Sequence, residues 1–180
     1  MSVTYVPSEN KKTVTVTLQT KEMTFEIMNK THVTARALES AGKLTPESAA
    51  YIQANGDSEN AYEMWRAITT AIGEAKIEMA EFLYTAADVT TADNKIGEAV
   101  EQGNAVTLTF KLPTNADTVA ADALGSGIND FIIGRSIYNW YRQTAPDLAA
   151  ACATDAEAIM TRTKKALYKR QRPTRPTYES

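Results

Sequence analysis

One cysteine, Cys152, and one histidine, His32, are all that 180 residues contain of the two most versatile metal-binding and nucleophile-partner side chains. A lone cysteine excludes an internal disulfide, and the alanines around it (Ala149, Ala150, Ala151, Ala153) suit a small buried hydrophobe. A nucleophile–His triad would have to use His32, and no nucleophile in a Gly-rich elbow accompanies it. A surface position in the first turn of a helix that begins near Thr31 accounts for His32 better. The Glu-x-x-His motifs of bundle metal pairs are missing too, so Glu74, Glu78 and Glu81 read as a solvated helix face beside Arg66 and Lys76. Gly125-Ser126-Gly127 lacks the lysine or third glycine of a nucleotide loop and does not directly follow a strand. The expectation is therefore a non-enzyme: no catalytic residue, no metal site and no cofactor.

Long apolar runs are also absent. None approaches the roughly 18–20 residues that span a bilayer, so a soluble chain with no membrane partner is expected. Met1-Ser-Val-Thr-Tyr-Val-Pro-Ser has no basic start followed by an apolar core, and synthesis in the cytoplasm follows as an expectation. Asn29-Lys30-Thr31 fits a glycosylation triplet, but nothing like an export signal supports its use.

What the chain does have is 43% hydrophobic residues, enough for one domain with a real core, and a lopsided charge distribution. Residues 162–180 carry Arg162, Lys164, Lys165, Lys169, Arg170, Arg172 and Arg175 against one acid, Glu179. That segment is net +6, while residues 1–161 are net −9. The domain reading is thus a single α+β body over 1–161 with an N-terminal β-hairpin at about 13–28, followed by a basic helix end and extended arm over 162–180.

Strict alternation marks the strands. Val14, Val16 and Leu18 face one way and Thr13, Thr15 and Thr17 the other; Met23, Phe25 and Ile27 resume the pattern after a polar turn, completing the hairpin. Val106, Leu108, Phe110 and Leu112 form the third strand, stopped by Pro113. A small antiparallel sheet of about three strands is expected.

The rest reads as helix. One helix runs from Thr31 to Ala41, where Gly42 stops it; a second starts with Thr45 as cap and Pro46 in its first turn and closes at Asn55-Gly56. A long helix starts at Asp57 or Ser58, carries Trp65, Ile68, Ile72, Met79, Phe82 and Leu83, and runs to about Ala86. A weak helix spans Thr90 to Asn104. The second long helix opens at Asn115 or Asp117, passes through Ile128, Phe131 and Ile132 to Tyr138 and Trp140, and ends at Pro146. A last helix is expected from the capping-box pattern Thr154-Asp155-Ala156-Glu157, with Ile159, Thr163 and Leu167 inward and its end near Tyr168. The predicted fold class is α+β: two long helices plus shorter ones packed on the small sheet, with an extended basic C-terminal arm.

Two features point to binding. Trp140, Tyr141 and Arg142 near the end of the second long helix read either as core packing or as a packed interface, since these residue types are enriched at binding hot spots. The basic segment reads as a solvated tail, as a salt-sensitive non-specific DNA contact, or as a clamp on the acidic body of a neighbouring copy. Two prolines, Pro173 and Pro176, favour an extended clamp.

The stretch Ile128-Asn129-Asp130-Phe131-Ile132-Ile133-Gly134-Arg135-Ser136-Ile137-Tyr138-Asn139-Trp140-Tyr141, followed by a helix ending Ala166-Leu167-Tyr168-Lys169-Arg170-Gln171-Arg172-Pro173, resembles small virion proteins of tailed bacteriophages, among them head–tail connector and neck components. The resemblance covers roughly Asp117 to Pro176. It implies a non-enzymatic subunit of the virion, forming a homo-oligomeric ring at the head–tail junction and synthesised in the host cytoplasm. Implied partners are copies of itself and the portal, capsid or tail proteins. The alternatives are another tail or assembly component, or a nucleic-acid-binding accessory protein that uses its basic tail. On this reading Lys164, Lys165, Lys169, Arg170, Arg172 and Arg175 make the electrostatic contact, and Trp140, Tyr141 and Arg142 the packed one.

Overall fold

A computed structural model describes residues 2–8, 11–83 and 93–171. The chain is an α+β protein, mostly helical, with a small antiparallel sheet. Its strands are β1 (Ser2–Ser8), β2 (Lys11–Gln19) and β3 (Ala105–Pro113), in the order β1-β2-β3. Its helices are α1 (Thr20–Ser40), α2 (Pro46–Ile52), α3 (Ser58–Glu78), α4 (Asp93–Gln102), α5 (Thr118–Thr144) and α6 (Pro146–Tyr168).

The sheet differs in membership from the one expected. The alternation at Val14–Leu18 and Val106–Leu112 is real: Val14 pairs with Phe110, Val16 with Leu108 and Leu18 with Val106, and all six are buried. The threonines on the opposite face remain partly exposed. Met23–Ile27, however, is the first part of α1, and the strand beside β2 is Ser2–Ser8. Five residues of period two could not decide the matter, because Met23 and Ile27 are also one helical turn apart. The longer stripe Thr20, Met23, Ile27, Thr31 and Ala35 is what α1 buries, and Phe25 is left 70% exposed. Lys12 falls on the apolar side of β2, and its ammonium reaches the Ala116 carbonyl at 2.9 Å.

Helix boundaries follow local chemistry. Thr45 accepts the Ser48 N–H ahead of Pro46, as read from the sequence. Gly42 and Gly103 sit at φ +69° and +68°, and each follows a helix whose last carbonyls are closed by paired bonds: Lys43 to Leu38 and Gly42 to Glu39; Asn104 to Ala99 and Gly103 to Val100. Helix α3 stops at Glu78, short of Ala86. Helix α6 begins at Pro146, eight residues before the expected start. Proline is well placed in a first helical turn, and Ala145, at φ −153°, serves both as the end of α5 and the entry to α6. The Thr154 hydroxyl donates instead to the Ala150 carbonyl inside the helix.

Helix α5 is the centre of the molecule. It packs most extensively on α6, then on α3, and also touches the sheet, α1 and α2. From Phe131 onward α5 is apolar on more than one side, and these partners from within the chain cover it.

Candidate functional site

Helix α6 carries the start of the basic segment back to the beginning of α5. Gln171 donates its backbone N–H to the Asn115 carbonyl (2.8 Å), the Asp117 N–H donates to the Lys169 carbonyl (3.2 Å), and Arg170 bridges Ala116 in antiparallel fashion. The Lys169 ammonium adds an ion pair to Asp117 at 3.3 Å. The chain thus leaves α6 fastened to its own body.

The cations divide accordingly. Lys164 pairs with Glu78 of α3. Arg170 donates to the Leu167 and Lys169 carbonyls at 2.7 and 3.2 Å, closing the end of α6. Lys165 is exposed, and Arg172 and Arg175 of the expected arm lie outside the described residues. Lys164, Lys169 and Arg170, expected to clasp a neighbour, each make a polar contact within the chain. Among the described residues of the segment, the charge left for a partner resides in Arg162 and Lys165, both exposed.

Trp140 and Tyr141 are likewise core residues, 7% and 2% exposed. The Trp140 indole donates to the Ile52 carbonyl at the end of α2 (2.9 Å), satisfying a helix-terminal acceptor. They cannot offer a packed contact to another subunit while the chain is folded. Arg142 alone of the three is exposed, lining a pocket with Glu63 and Arg66. Burial raises the pKa of the Tyr141 hydroxyl, with Thr34 opposing the effect. The Thr34 hydroxyl donates to the Lys30 carbonyl, and Tyr141 retains no partner in hydrogen-bonding geometry. The Cys152 thiol is also raised, first by burial and then by Asp155.

The acids of α3 were read as a solvated face. Two of them instead bind α3 to its neighbours, Glu74 pairing with Arg135 of α5 and Glu78 with Lys164, while Glu81, just past the end of α3, accepts from the Tyr168 hydroxyl at 2.8 Å. Arg135 also lies over the Tyr138 ring, 4.5 Å from its centroid. Their partners are 61 to 87 residues away, so no local spacing could reveal them. Among the described residues no group of three or more His, Cys, Asp or Glu is arranged to hold a metal. His32 lies within α1, exposed, with Nδ1 2.9 Å from Gln53 Oε1 and no nucleophile in that contact.

At the opposite end of α5 lies a groove of about 640 Å³, missed in the sequence because it is built from three separate places. Leu38 and Leu44 come from the end of α1 and its exit, Tyr51 and Ile52 from α2, and Thr144 to Leu148 from the α5–α6 junction. Tyr51 is 68% exposed, and Glu47, Asp147 and Lys43 supply the charge. No described helix is long and apolar enough to cross a membrane. The chain matches no protein-family model, no curated protein and no solved structure.

Proposed function

We propose that this chain is a non-enzymatic structural subunit of a tailed-phage virion, assembling with copies of itself into a ring at the head–tail junction. The observation that carries the reading is where the resemblance falls. Residues 117–171 of the resembling stretch form one continuous structural unit, the α5–α6 hairpin and the short segment fastened back onto residues 115–117. A likeness that falls mostly on one packed unit is what shared architecture would leave, since helices that pack together constrain each other's sequences.

Other features support assembly. Among the described residues no strand pairs with the outer edge of β1, whereas β3 receives partial cover from Phe82 and Leu83: Lys111 donates to the Phe82 carbonyl at 2.8 Å, and Leu83 bridges Phe110. An uncovered edge can accept a strand from another chain. The acidic body and basic C-terminal segment attract one another between copies. Use of the tail on DNA is the weaker reading, because Lys164 and Lys169 are already ion-paired with acids.

Negative-stain electron microscopy of the purified chain, beside a DNA-retention assay at low salt, tests the proposal. Closed rings without salt-sensitive DNA retention support it. Single small particles that retain DNA at low salt contradict it and favour the accessory-protein alternative.

A further inference from the structure

We infer that the groove between α2 and the start of α6 receives the Arg172–Tyr178 segment of a second copy. The inference rests on the self-assembly reading and names the contact that would create it.

Chemistry of the segment comes first. Arg172-Pro173-Thr174-Arg175-Pro176 is a Pro-x-x-Pro sequence with two arginines, and Tyr178 follows. Such sequences favour the polyproline II helix, which loses little entropy on docking and is recognised by grooves lined with aromatic and apolar side chains. The groove has that lining in Tyr51, Leu38, Leu44 and Leu148. Its two acids, Glu47 and Asp147, outnumber its one cation, Lys43, so its charge complements Arg172 and Arg175.

Geometry excludes the chain's own segment as occupant. Gln171 is fixed to Asn115, beside the start of α5, while Thr144 at the end of α5 lines the groove. The 27 residues of α5 place these points about 40 Å apart at 1.5 Å per residue. Seven residues from Arg172 to Tyr178 reach about 22 Å as polyproline II and about 25 Å fully extended. Occupation must therefore come from another copy. A tail at one end and a groove at the other make a head-to-tail contact, which closes into a ring or continues as a filament depending on the rotation between copies.

Charge reversal in the full-length chain tests the contact. Glu47→Lys with Asp147→Lys, both at exposed positions, alters the groove, and Arg172→Glu with Arg175→Glu alters the segment. Each pair should raise the concentration needed for self-association by about tenfold or more, and the four changes together should restore it. Tyr51→Ser, at an exposed site, should weaken association without changing the thermal midpoint. If the wild-type chain associates and neither pair matters, the tail-in-groove contact is wrong while self-assembly stands. If the wild-type chain remains monomeric throughout, both are wrong.

Discussion

The backbone N–H of Gln171 meets the carbonyl of Asn115 at 2.8 Å, which fixes the root of the basic segment beside the start of α5. Asp117 stands at the centre of this fastening. Its carboxylate accepts from the Val119 N–H at 3.0 Å, capping α5, and pairs with Lys169 at 3.3 Å. Asp117→Ala should cost about 1–2 kcal/mol in urea unfolding, most of it from the lost cap because Lys169 is largely exposed. Amide exchange at Gln171 should quicken in the same variant.

Glycine substitutions should act with opposite signs at two positions. A Cβ on Gly127 would overlap the Thr163 hydroxyl, which is held in place by donating to the Ile159 carbonyl at 2.8 Å. Gly127→Ala should therefore destabilise by about 1–3 kcal/mol despite alanine's helical preference. Gly73 in α3 faces open space, and Gly73→Ala should stabilise by about 0.5–1 kcal/mol. Thermal midpoints of the two variants check the pair.

The buried aromatic neighbours at the end of α5 should respond differently to loss of their polar atoms. Trp140→Phe orphans the Ile52 carbonyl and should cost about 1–3 kcal/mol. Tyr141→Phe removes a hydroxyl that has no partner and should leave stability within about 1 kcal/mol of the parent, or above it. The hydroxyl's pKa is raised in the fold above the ordinary 10.0, so its contribution is complete below that pH and is lost as pH rises through the folded value. Above pH 10 the stability of Tyr141→Phe should accordingly fall less than that of the parent.

Cys152 should be a poor nucleophile. Burial and Asp155 both raise its pKa, which lowers the thiolate fraction. Alkylation at pH 8 should be slower in the folded chain than in urea; equal rates would contradict the burial argument.

Much of this fold was legible where a signal extends over several turns or uses a residue of special conformation. The β2–β3 face, the Thr45-Pro46 helix start and the glycine stops at Gly42 and Gly103 are of that kind. Met23–Ile27 was misread because a short apolar alternation is compatible with both periods until Thr31 and Ala35 are counted. The start of α6 was misread because a proline can open a helix as readily as it ends one, and Thr154 had a carbonyl to bond within the helix. The contacts of the candidate site were hidden for another reason: Glu78 with Lys164, Asp117 with Lys169, and Leu38 with Leu148 on one groove are brought together only by the packing of α1, α3, α5 and α6.

Native mass measurement of the full-length chain over a range of concentrations tests the central claim of self-assembly most directly. The account predicts a species at a fixed whole-number multiple of 19.7 kDa that grows with concentration and is weakened by salt. A mass of 19.7 kDa at every concentration would contradict it.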